Sequence, residues 1–201
     1  MAVLIGSLLA AEPPAADAHV LAGARLFREN RFAEALVEFR VAERQGAAEA
    51  RGYVAASLVK LGREEEALEL FEGGPAPQGG RDALLDYYHA LACYGARLYL
   101  QADELLARIG PRTGPRIAEQ AAKVRADIAA AIPRDPPRDA IEWYLARSDA
   151  HAAAGRTALA LAHAREARAL GQRRADRFGV AEGDARLGRP IPAKAATERR
   201  P

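Results

Sequence analysis

Small apolar residues recur along this chain at fixed offsets, each set followed by a larger apolar residue and interrupted by a polar turn. In the first set Gly23 and Leu26 precede Asn30 and Phe32, and Ala35, Phe39 and Ala42 follow. The spacing returns as Ala55, Leu58, Gly62, Ala67 and Phe71, then as Ala90, Cys93, Tyr99, Ala102, Leu106 and Ile109. A fourth set reads Ser148, His151, Gly155, Ala160, Ala164 and Ala167. Ala67 lies 32 residues after Ala35, and Ala102 lies 35 after Ala67, a period that signals a repeat array. Steps of three and four within each set place its apolar residues on one helical face. Each set therefore predicts two amphipathic helices joined by a tight turn. Small residues stand where the helices cross closely, and a large residue four positions on fills the next gap. Ala160 follows Ala102 by 58 residues, and one further helix over 116–132 accounts for the excess. Its stripe is Ile117, Ala121, Val124 and Ile128.

The punctuation agrees with this division. Asp17, Asp82 and Asp135 stand where helix N-caps are needed. Pro115 and Pro136 fall at expected first helical positions, and Gly62 and Gly155 fall in the turns inside pairs. The run from Gly73 to Gly80 is rich in glycine and proline and holds no helix. These signals divide the chain into a signal-like or disordered N-terminal segment over 1–16, two strong helix pairs over 17–72 and a linker over 73–81. Weaker pairs with the extra helix cover 82–171. A basic, mostly disordered tail is expected over 172–201, with a short capping helix at 172–187 as the ordered alternative, since a helical array must cover its open end.

Two stretches carry a family resemblance: 25–39, RLFRENRFAEALVEF, and 58–71, LVKLGREEEALELF. They resemble the tetratricopeptide repeat, and at falling quality the likeness extends over about residues 17–170. The column where that family favours tryptophan holds His19, Arg51, Asp86 and Tyr144, and no proline closes the first repeat. The resemblance implies an all-α, right-handed solenoid of antiparallel helix pairs whose first helices line a concave face that takes a protein or peptide. Carried over column by column, that face holds Val20, Ala24, Phe27 and Arg28, then Gly52, Ala56, Val59 and Lys60. The third pair adds Leu84, Tyr87, Leu91 and Tyr94, and the fourth adds Leu145 and Asp149. The partner-binding set is Phe27, Arg28, Val59, Lys60, Leu84, Tyr87, Leu91 and Tyr94. Tyr87, Leu91 and Tyr94 share one helical face, and tyrosines suit interfaces because they offer large contact area at low entropic cost. The only asparagine, Asn30, sits in a turn, so the clamp for a C-terminal carboxylate that some family members carry is not expected.

Composition narrows the function. Half of the residues are apolar, mostly the strong helix formers Ala and Leu. Lysine occurs only at 60, 123 and 194 while arginine is abundant, the bias of a GC-rich bacterial genome. A formal net charge of +2 is too small to argue for nucleic acid. One cysteine, Cys93, excludes an internal disulfide and a cysteine metal cage. The serines at 7, 57 and 148 sit in no nucleophile elbow, and no phosphate-cradling glycine loop ends in Lys-Ser or Lys-Thr. His19, His89, His151 and His163 form no i, i+4 metal pair, although His151 and His163 lie on the two helices of one pair and are within reach of each other. The acidic run Glu64-Glu65-Glu66 reads as a solvated helix start, where acids suit the helix dipole. No metal, cofactor or small-molecule substrate is expected.

The apolar run Val3–Ala10 with the small residues Ala16-Asp17-Ala18 after it has the length of a signal-peptide core but lacks the basic flank. It is too short to span a bilayer. These readings point to a non-catalytic scaffold that binds protein in the bacterial envelope, periplasmic or otherwise exported. The alternative is a cytoplasmic adaptor whose basic tail touches nucleic acid.

Overall fold

A computed structural model describes residues 15–74, 82–110, 114–132 and 136–188, and among these the chain is all-α, with ten helices and no strand. They are α1 (Ala15–Arg28), α2 (Phe32–Arg44), α3 (Ala50–Lys60), α4 (Glu64–Glu72) and α5 (Ala83–Gly95). Then come α6 (Tyr99–Ala107), α7 (Pro115–Ala131), α8 (Arg138–Ala153), α9 (Thr157–Arg174) and α10 (Arg177–Leu187).

Four helix pairs, α1–α2, α3–α4, α5–α6 and α8–α9, share one turn geometry. Three residues separate the helices in each, and the middle one is left-handed: Asn30 at φ 61°, Gly62 at 71°, Arg97 at 64° and Gly155 at 71°. The next backbone N–H returns to the carbonyl five residues earlier. Arg31 donates to Leu26, Arg63 to Leu58, Leu98 to Cys93 and Arg156 to His151, at 2.8–3.0 Å. This is the Schellman closure of a helix C-terminus. Glycine supplies the left-handed conformation without a Cβ penalty, whereas arginine at 97 does not.

The repeat columns fall where the spacing places them. Ala35, Ala67, Ala102 and Ala160 are each at most 1% exposed. Four residues on, Phe39 and Leu106 are buried and Phe71 packs half-buried against the core. Ala164 fills the same column in the fourth pair, and α10 explains its size. A Cβ on Gly183 of α10 meets the Ala164 carbonyl at 3.1 Å and Arg168 Cβ at 2.7 Å. Gly171 and Gly179 meet at similarly close range. Small residues on both helices let α9 and α10 cross closely, and a phenylalanine at 164 would push α10 away.

The first three pairs stack in sequence. The second helix of each packs on the first helix that follows, as α2 on α3, α4 on α5 and α6 on α7, while α3 packs on α5 and α5 on α7. The lone helix α7 thus takes the place of a fourth first-helix. The α8–α9 pair does not continue from it, because no extended packing joins α7 and α8. Instead α9 folds back onto α4 and α6. α3 lies within the stack, and residues 54–58 are buried in an unbroken run, as expected of a helix enclosed on all sides.

Three local expectations change. Asp82 does cap α5, accepting from Leu84 N–H at 2.9 Å, but Asp17 lies inside the first turn of α1 and Asp135 falls outside the described residues. Pro115 opens α7 as expected, whereas Pro136 precedes α8, which starts at Arg138. The segment over 172–188, read as tail or capping helix, contains the end of α9 and all of α10. The apolar run at 3–10, residues 75–81 of the linker and the chain from 189 lie outside the described residues.

Candidate protein-docking face

The residues placed on the first-helix face do not form one uniform surface. Phe27 of α1 stands edge-on to Phe32 at 5.1 Å and to Tyr88 of α5 at 5.5 Å between ring centroids. Tyr88 continues to Tyr87 at 5.7 Å. Lys60, at the end of α3, sets its Nζ 5.0 Å from the centre of the Phe32 ring, within cation–π range. Phe27, Lys60 and Tyr87 are therefore brought together from three helices. Phe27, Phe32 and Tyr87 are half-buried, Tyr88 is buried and Lys60 is exposed. Burial pushes the Tyr87 and Tyr88 hydroxyls above the ordinary phenol range, so both stay neutral near pH 7.

The other members separate from this run. Tyr94 pairs with Tyr99 of α6 at 5.7 Å. Val59, Leu84 and Leu91 are half-buried. Arg28 is exposed and donates from Nε to the Ala24 carbonyl at 3.2 Å. Lys60 and Arg28 stand two residues before the left-handed turn residue of successive pairs. Ala56 is fully buried and out of a partner's reach. In the fourth pair Leu145 is also buried and leaves the expected surface, while Asp149 is exposed and accepts from Arg186 of α10 at 2.7 and 3.0 Å. Phe32 and Tyr88 were missing from the expected set. The neighbouring Tyr87 and the recurrence of an aromatic residue two positions after the turn, at Phe32 and Tyr99, were the available signals.

The fourth pair is fixed by polar contacts to the second and third. In the first two pairs the residue after the turn is arginine and reaches a glutamate three positions on. Arg31 Nε donates to Glu34 at 2.7 Å and Arg63 Nε to Glu66 at 2.6 Å. At the matching place in the fourth pair Leu159 stands three after Arg156, so Arg156 has no local acid. It reaches Glu65 at 2.6 Å and Glu69 at 2.5 Å on α4. Arg147 also binds Glu65 at 2.6 Å, and Arg165 binds Glu72 at 2.5 Å. The acidic run is thus not wholly a solvated face, because Glu65 is an anchor for α8 and α9. Burial opposes ionisation of Glu72, but the hydrogen bond with His89 at 2.9 Å and the Arg165 charge hold its carboxyl at about 2.

Glu166 is the most enclosed charge, 1% exposed. It accepts from the Leu100 N–H at 2.7 Å, the Gln101 N–H at 3.2 Å and Gln101 Nε2 at 3.0 Å. It thereby caps the start of α6, whose own N-cap position, Leu98, supplies no side chain. Burial pushes the Glu166 carboxyl upward against the pull of these donors. Tyr144 of α8 donates its hydroxyl to the Arg97 carbonyl, so α8 and α9 together grip the turn of the third pair. Cys93 is buried, and burial keeps its thiol well above the ordinary range.

Among the described residues no group of three or more His, Cys, Asp or Glu side chains is placed to hold a metal ion. No described helix is long and apolar enough to cross a membrane. A cleft of about 230 Å³ between α6, α7 and α9, lined by Asp103, Arg125, Ile128 and Arg173 among others, is below the roughly 300–1,000 Å³ of ligand pockets. The shared turn, the buried alanine column and the sequential packing make this chain an all-α protein built on repeated helix pairs. No protein-family model, no curated protein and no solved structure matches it.

Proposed function

We propose that the chain is a non-catalytic scaffold of tetratricopeptide type, a right-handed array that takes a protein or peptide partner on its first-helix face and works in the bacterial envelope. The observation that carries this reading is the aromatic run Phe32–Phe27–Tyr88–Tyr87 with the exposed cation Lys60 over the Phe32 ring. Half-buried aromatic rings are enriched among interface anchors. The rings are already held against one another, so little side-chain freedom is lost when a partner covers them.

The test is affinity capture from the native source with wild type and with the double variant Arg28→Glu/Lys60→Glu. Both positions are exposed, so the variant keeps its fold, which its thermal melt confirms. The reading expects a saturable protein partner whose affinity falls by about tenfold or more in the variant, roughly 1.4 kcal/mol. Equal affinity of both proteins for the same partner overturns the placement of the docking face.

A further inference from the structure

The fourth pair carries two histidines in ring contact at the point where α8, α9 and α4 meet. The His151 and His163 rings lie 4.9 Å apart, and both are buried, at 5% and 1% exposure. His163 Nδ1 donates to the Leu159 carbonyl at 2.9 Å. His151 Nε2 is buried without a hydrogen-bond partner, as is Arg147 Nε one turn before it. The charges around the pair come from every neighbouring element. α4 presents Glu65 and Glu69, α8 presents Arg147, and the turn presents Arg156. α10 brings Asp184 and Arg186, which are engaged with Arg168 and with Asp149 and Glu182. Glu166 of α9 is occupied in capping α6. Glu65 and Glu69 are themselves bound to Arg147 and Arg156, so a proton arriving on the histidines finds the local acids already neutralised.

We propose that this histidine pair is an acid-operated joint: proton uptake by His151 and His163 loosens the α8–α9 pair from α4 while the first three pairs stay folded. Two imidazolium rings at this separation repel each other and Arg147, and their burial weakens the screening. The sign follows from the titration. Burial holds His163 down at about 4 and also lowers His151. An opened pair takes its proton near the ordinary value of 6.5. The closed joint is therefore fully favoured above pH 6.5 and weakens as pH falls toward 4. One proton taken up only by the opened form raises the opening constant toward tenfold per pH unit below 6.5, or about fifteenfold between pH 6.5 and 5.

Hydrogen exchange on the full chain at pH 7.5, 6.5 and 5, corrected for the intrinsic rate, reads this directly. The only tryptophan, Trp143, stands 6.2 Å from His163 and supplies an independent fluorescence reading. The expected result is a roughly fifteenfold rise in opening of α8 and α9 amides between pH 6.5 and 5, matched by a change in Trp143 emission, with α2 and α3 unchanged. His151→Gln and His163→Gln should each flatten the response, and a single folded one of the two is sufficient. The proposal is overturned if α8 and α9 keep their protection at pH 5. It is also overturned if α2 and α3 open by the same factor, or if a folded glutamine variant follows the wild-type curve.

Discussion

Replacing Glu166 by alanine removes the only side chain that caps α6. Two backbone N–H groups, of Leu100 and Gln101, lose their acceptor, while Gln101 Nε2 keeps the Ala162 carbonyl at 2.8 Å. A buried donor left unsatisfied costs about 1–3 kcal/mol, and bonds to a charged acceptor lie at the upper end. Part of this is returned, because the variant no longer buries a carboxylate that its surroundings push toward protonation. The net expectation is a loss of about 3–4 kcal/mol. At about 2–4 °C per kcal/mol for a chain of this size, the melting temperature falls by roughly 6–16 °C. Glu166→Gln keeps one acceptor and should cost about 1–2 kcal/mol. Glu104, exposed on α6 and paired with Arg108, is the control, and its alanine variant should stay within about 0.5 kcal/mol of wild type. Urea and thermal unfolding followed by circular dichroism measure all three. A Glu166→Ala variant within about 1 kcal/mol of wild type would refute the capping role, as would a glutamine variant less stable than the alanine one.

Ala35→Leu and Ala67→Leu overfill crossings with no exposed surface and should each cost about 1–3 kcal/mol, read in thermal melts. Gly183→Ala places a methyl group 2.7 Å from Arg168 Cβ and 3.1 Å from the Ala164 carbonyl. It should destabilise by about 1–3 kcal/mol and selectively raise hydrogen exchange in α10. Arg97→Gly relieves the left-handed turn of the third pair, which is already gripped from outside by Tyr144 and Glu166. It should stabilise by about 1 kcal/mol in urea titrations, whereas Gly155→Arg should destabilise by a similar amount.

The pairs were legible because the physics that forms them is local. A small residue at a close crossing and a left-handed turn residue five positions before it recur in register at Asn30 and Ala35, Gly62 and Ala67, Arg97 and Ala102, and Gly155 and Ala160. The docking of the fourth pair was not legible, because its bonds join residues far apart in the chain. Arg156 and Glu65 are separated by 91 positions, and an arginine at a helix start looks alike whether its acid is local or distant. The missing acid at 159 was the trace it left. Glu166 continues the stripe Leu159, His163, Glu166, Leu170 at steps of four, three and four, all buried. A glutamate in the buried stripe of a helix marks a partner that local sequence does not supply. On the candidate docking face the same limit applies: Tyr87 and Lys60 were placed by their columns, but the meeting of Phe27 with Tyr88 depends on how α1 and α5 converge.

Placing a photoreactive residue at position 60 or at position 123 compares the candidate face with the exposed side of α7. After irradiation in the native host, cross-linked protein is isolated and sequenced. A docking scaffold with the face assigned here gives a specific protein adduct at 60 that disappears with Tyr87→Ala, and none at 123. Adducts at 123 alone, or none at either position, contradict it.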